Sequence, residues 1–138
     1  MAIPAVGLGT GGIYYPPEKG GLEMVFRTAL DLGYRLFDLA REYQNEHIMG
    51  FILNKLRLEN FDRSEIFLQS KVWPTQLGFI PTSDALFTTL DELSSHYIDM
   101  YMLHWKSCNE NIVWHHCETT IDEEATWKEV TASIIHLS

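Results

Sequence analysis

The sequence predicts an α/β protein in which short strands alternate with longer helices along a parallel sheet. Three observations carry that expectation. Between Met1 and about Trp105, runs rich in β-branched and aromatic residues alternate with segments whose apolar residues recur at helical spacing. Glycine and proline clusters punctuate the joints. With 138 residues, 46% hydrophobic and 12% aromatic, the chain can bury one core and is not a disordered segment.

The first strand is expected at Ala5 to Gly9, ending in Gly9-Thr10-Gly11-Gly12, whose glycines allow a tight turn or a close approach to a ligand. That run lacks the third spaced glycine at a helix start, so it reads as a turn and not as a dinucleotide fingerprint. A loop follows, broken by Pro16-Pro17 and Gly20-Gly21. From Leu22, the stripe Leu22, Val25, Phe26, Ala29, Leu30 predicts a helix with one face on a core, ended by Gly33.

Arg35 to Leu39 is the second strand, and Asn45 to Leu58 the second helix, with Ile48, Met49, Ile52, Leu53 and Leu56 as its buried face. Ile66 to Val72 is the third strand, closed by Trp73-Pro74. Thr82 or Ser83 caps a third helix carrying Leu86, Leu90 and Leu93. Tyr97 to Trp105 is the fourth strand. Four βα units joined by right-handed crossovers require a parallel sheet covered on both faces. Beyond Trp105 the pattern decays. The 32 residues from Ser107 to Ser138 hold six acids and one base, Lys128, and read as a long loop, a short helix from Asp122, and a β-branched run from Val130 to Ile135.

A formal charge of -9, from ten Lys and Arg against nineteen Asp and Glu, repels phosphate backbones and anionic lipid headgroups, so neither nucleic acid nor a membrane surface is an expected partner. No apolar run approaches the roughly 20 residues that cross a bilayer, and no signal peptide opens the chain, so a soluble cytoplasmic protein is expected. In that reducing compartment Cys108 and Cys117 are expected to remain thiols. With His115 and His116 they place soft ligands in a short span, but the spacing matches no zinc pattern and no metal is expected.

In parallel α/β folds, functional groups gather at the C-terminal ends of strands. Here those ends are polar: strand two ends in Asp38 and leads into Tyr43, strand three ends at Lys71, and strand four at His104. Each has a plain structural reading alone: Asp38 a helix cap, Tyr43 an aromatic with its hydroxyl in water, Lys71 a surface charge, His104 a satisfied core histidine. Four at successive strand ends are harder to ascribe to coincidence. A free phenol ionises near pH 10, too high for efficient proton donation unless its anion is stabilised. An ammonium such as Lys71 supplies that stabilisation, Asp38 holds the ammonium, and His104 orients a carbonyl beside Tyr43. An acid that protonates an oxyanion needs a partner delivering a nucleophile to carbon, and hydride from a nicotinamide fits.

The stretch Gly33-Tyr34-Arg35-Leu36-Phe37-Asp38-Leu39-Ala40, with Tyr43-Gln44-Asn45-Glu46 and Met49-Gly50, closely resembles the aldo-keto reductase family. The resemblance extends to Gly7-Leu8-Gly9-Thr10, to Ser70-Lys71-Val72-Trp73-Pro74-Thr75, and to Tyr97 through Trp105. It implies the first four βα units of a (β/α)₈ TIM barrel and NADP(H)-dependent reduction of aldehydes or ketones in the cytoplasm. It also implies Tyr43 as general acid, Lys71 and Asp38 as its tuning pair, and His104 as the carbonyl-orienting group. Gly9, Thr10 and Asp38 are implied to approach the nicotinamide, and Trp105 and Trp73 to line the substrate pocket.

A complete barrel takes about 250 residues, so the chain reads as an N-terminal half, residues 1–128, followed by a divergent tail, 129–138. Lys106 stands where the family usually has proline. The change near Val130 resembles an alternative exon, a frameshift or a truncated gene model, which sequencing the transcript across Glu129 tests. The family's later contacts to the carboxamide, the nicotinamide ring and the 2′-phosphate have no counterparts here. A second reading therefore stands beside the enzyme: a non-catalytic truncated form acting as an interaction or complementation module, self-associating through unpaired barrel edges.

Overall fold

The computed structural model describes residues 2–12 and 21–118. The expected loop at Pro16-Pro17, the helix from Asp122 and the run Val130 to Ile135 lie outside the described residues. Among the described residues, four strands, β1 (Gly7–Gly9), β2 (Leu36–Asp38), β3 (Phe67–Val72) and β4 (Met100–Leu103), form one sheet in the order β1-β2-β3-β4, every pair parallel. Helices α1 (Gly21–Asp31), α2 (Glu46–Leu58) and α3 (Phe79–Glu92) connect them. This is the expected α/β arrangement of successive βα units.

Alternation along β3 divides the sheet into two faces. Leu68 packs into the helix-side core, Ser70 bonds α2, and Val72 packs beside Leu77 and Ala85. Gln69 and Lys71 point to the opposite face, where Asp38 receives both. The helix-side core gathers Leu22, Phe26 and Ala29 of α1, Phe37 of β2, Met49, Ile52, Leu53 and Leu56 of α2, and Leu68 of β3. Phe26 and Phe37, both fully buried, meet with ring centroids 4.2 Å apart. Each such side chain contributes about 1.5–3 kcal/mol by leaving water.

All three helices stop in the same way. After α1, the amide of Gly33 donates to Leu30 and that of Tyr34 to Ala29, the paired bonds of a Schellman turn, with Gly33 at φ +91°. After α2 and α3 the same pair of bonds recurs, with Asn60 (φ 65°) and Ser94 (φ 50°) in the left-handed position. Glycine marks only the first of these stops, although the second helix also ends at Leu58 as expected.

The elements depart from expectation in three ways, two at their ends and one in burial. Every strand is shorter at one or both ends than its β-branched run. The third helix begins at Phe79 behind Gly78, not at Thr82 or Ser83. Pro81 falls in its first turn, where a missing amide costs nothing, and the Thr82 and Ser83 hydroxyls bond back to the carbonyls of Gln76 and Phe79. Ile48 is 37% exposed. The buried stripe Met49, Leu53, Leu56 runs back to Glu46, whose carboxylate is buried between Ser70 and Thr89, and Ile48 lies at its edge.

Candidate active site

Strand ends and the turns just beyond them bring the four expected residues together. Lys71 Nζ donates to Asp38 Oδ1 at 2.5 Å, to the Leu39 carbonyl at 2.9 Å and to the Tyr43 hydroxyl at 3.3 Å. The ammonium also lies 4.7 Å from the Tyr43 ring centroid. Parallel pairing explains the convergence: Asp38 is in register with Gln69, so Lys71, two residues on, leans over the end of β2. Tyr43 arrives on a 3₁₀ turn, Arg41–Tyr43, which Arg41 ties to α3 through an ion pair with Glu92.

His104 follows β4, its amide bonded to the Val72 carbonyl at 3.1 Å. Its ring meets Tyr43 edge-on at 5.6 Å and Trp73 edge-on at 5.3 Å, and lies nearly parallel to Trp105 at 6.4 Å. Burial, reinforced by the Lys71 charge and opposed by Asp38, holds the imidazole below its ordinary pKa, so the neutral ring is favoured. Its Nδ1 is buried with no hydrogen-bond partner among the described residues.

The expected cofactor residues sit at the end of β1. Thr10 is 2% exposed, and its amide and hydroxyl both donate to the Asp38 carbonyl, at 3.1 and 2.7 Å. Asn45 Nδ2 donates to the same hydroxyl at 2.6 Å. Thr10 therefore fastens β1 to β2. Gly9 is exposed, and no atom lies within 4 Å of where a side chain would begin, leaving open space beside Asp38. Of the expected pocket residues, Trp105 is 42% exposed and Trp73 only 7%, its indole N–H donating to the His115 carbonyl at 3.2 Å.

Three participants escaped the reading of the sequence. Gln69 Nε2 donates to Asp38 Oδ1 at 2.9 Å, and its place two residues before Lys71, on the same strand face, was a usable signal. Asn45 stands at the start of α2 as expected, and its side chain in addition holds Thr10. His115, considered only as a metal ligand, is buried against Trp73 and Trp105, with ring centroids 6.2 and 5.4 Å away.

The expectation of free thiols is overturned. Cys108 and Cys117 are bonded to one another, their Cα atoms 5.8 Å apart. The chain turns back through the 3₁₀ turn Val113–His115, bringing the two cysteines within ordinary disulfide reach.

The family model for the aldo/keto reductases matches residues 5–132. The chain belongs to the aldo/keto reductase family. An aldose reductase of Encephalitozoon cuniculi is 42% identical over 104 residues, covering 75% of this chain and 33% of that protein. The structure of the aldose reductase from Schistosoma japonicum superposes with a TM-score of 0.74 at 30% identity, over 97% of this chain and 46% of that one. An aldo-keto reductase complexed with NADPH shares the fold, with a TM-score of 0.77 at 22% identity, over 98% of this chain and 40% of that one. The chain thus spans between a third and a half of the length of these aldo/keto reductases. Among the described residues, no helix is long and apolar enough to cross a membrane.

Proposed function

We propose that this chain carries the proton-transfer half of an NADP(H)-dependent carbonyl reductase, acting on an aldehyde or ketone. The observation that carries this reading is the Lys71 ammonium, which lies within hydrogen-bond distance of both Asp38 and the Tyr43 hydroxyl. Family membership and a neighbour of the same fold complexed with NADPH support the cofactor. So does the open space at Gly9.

When bound, a reduced nicotinamide supplies the hydride that no side chain can provide. The protein's own part is to bind the carbonyl, hold its oxygen and deliver a proton. Neutral His104 directs an N–H to that oxygen, since desolvation and the Lys71 charge both disfavour the cation. Tyr43 gives its phenolic proton to the oxygen as negative charge develops there. The phenolate left behind faces the ammonium of Lys71, which Asp38, itself steadied by Gln69, keeps in place. Trp105 and Trp73 flank His104 and give the substrate an apolar wall.

Adding NADPH to the purified chain tests binding through the reduced cofactor's fluorescence. Adding a simple aldehyde then tests turnover through loss of that signal. Saturable binding with turnover supports the reading. Neither binding nor turnover supports the non-catalytic interaction module instead.

A further inference from the structure

The Cys108–Cys117 bond straps shut the segment that walls the aromatic cluster around His104. Its two ends differ. Cys108 is 2% exposed and packs with Val72, Leu77 and Ala85, whereas Cys117 is only partly buried. Between them, His115 presents its carbonyl to Trp73 at 3.2 Å and its ring to Trp105 at 5.4 Å. Trp73 and Trp105 are the two indoles that flank His104. The hydrogen bonds from the amides of Asn111, Ile112, His115 and His116 all run to neighbours within the segment. The covalent strap closes the two ends of the segment, while the Trp73–His115 bond ties its middle.

We propose that Cys108 and Cys117 form a redox-modification site, a dithiol–disulfide pair whose state sets how firmly residues 109–116 wall the Trp73–His104–Trp105 cluster. Its reaction partners are small or protein dithiols and their disulfides. Cys117 Sγ, the more accessible sulfur, is the point of attack. An external thiolate bonds to it, the Cys108–Cys117 bond breaks, and Cys108 leaves as a thiolate that takes up a proton. The second external thiol then loses its proton and displaces Cys117 from the mixed disulfide. Cys117 is protonated in turn. Two electrons and two protons pass to the pair, and the external dithiol becomes a disulfide. Oxidation reverses each step. Once reduced, the segment regains the freedom that ring closure removed. Its effect on carbonyl reduction rests on the function proposed above, but the thiol chemistry does not.

The test uses the whole chain, oxidised with a small cyclic disulfide or reduced with dithiothreitol. Alkylation followed by mass measurement is expected to add nothing to the oxidised form and two groups to the reduced form. A protease cutting after glutamate reports on the exposed Glu110 inside the segment. Cleavage there is expected to be at least about tenfold faster after reduction. Cys117→Ser, with its fold checked by circular dichroism, is expected to cleave at the fast rate with or without reductant. Two alkylated cysteines in the oxidised sample, or equal cleavage rates, overturn the proposal. Aldehyde turnover is measured in parallel. Redox-dependent cleavage in a chain that reduces no aldehyde overturns the carbonyl-reductase reading alone, while equal cleavage in an active chain overturns the strap alone.

Discussion

The ring of Tyr43 occupies the space that a side chain at Gly11 would enter. A Cβ at Gly11 would stand 2.5 to 2.9 Å from three atoms of the phenol ring. The glycine after Thr10 thus fits the proposed acid and is more than a turn residue. Gly11→Ala is expected to displace the phenol from Lys71 and His104. A displacement of about 1 Å costs on the order of 100-fold in kcat, with little change in stability. Comparing kcat and thermal unfolding of the variant checks this, and an unchanged kcat would show that the ring position is not critical.

Glu46 is a buried carboxyl serving the scaffold. Ser70 and Thr89 donate to its Oε1 at 2.6 and 3.0 Å. Glu46→Ala strands both hydroxyls and leaves a cavity, an expected loss of about 2–4 kcal/mol. Glu46→Gln keeps the acceptor and is expected to lose far less. Urea midpoints of the two variants distinguish these outcomes.

The same carboxyl gives a pH signature. Burial raises its pKa above 4.5, against the opposing pull of Ser70 and Thr89. The folded state therefore binds the proton more tightly than the unfolded chain. That contribution to stability is present at low pH and is lost as pH rises through the unfolded value toward the raised one. Relative to Glu46→Gln, the wild type is expected to lose stability as pH rises above the ordinary carboxylate value. Parallel curves for the two proteins would contradict it.

His104 acts with the opposite sign. Its lowered pKa means that the unfolded chain binds the proton more readily. Stability is therefore undiminished above the ordinary imidazole value and is lost as pH falls through that value toward the lowered one. Denaturant melts of the wild type and His104→Gln, between about pH 7.5 and about pH 5, are expected to converge or cross as the acid penalty falls on the wild type alone. A stability gap that does not change with pH would place His104 in water.

Much of this was legible in the chain because β-branched runs locate strands and period-3.6 stripes report which face of a helix is buried. Asp38, Lys71 and His104 sit at or beside the ends of strands that the β-branched and aromatic runs locate within a residue or two, and Tyr43 follows on a short turn. What escaped was decided by tertiary contacts. Asn60 and Ser94 adopt left-handed backbone without glycine to announce it. Glu46 takes a core position because two hydroxyls from other elements satisfy it. Cys108 and Cys117 meet only because the intervening turn reverses the chain. Composition reports none of these.

Reduction of a simple aldehyde by NADPH, followed in the wild type and in Tyr43→Phe, bears most directly on the role given to the phenol. Removing its proton while leaving the ring in place is expected to lower turnover about 10²- to 10⁴-fold. NADPH binding, read by fluorescence, should stay nearly the same. A Tyr43→Phe chain that reduces the aldehyde as fast as the wild type would contradict the account.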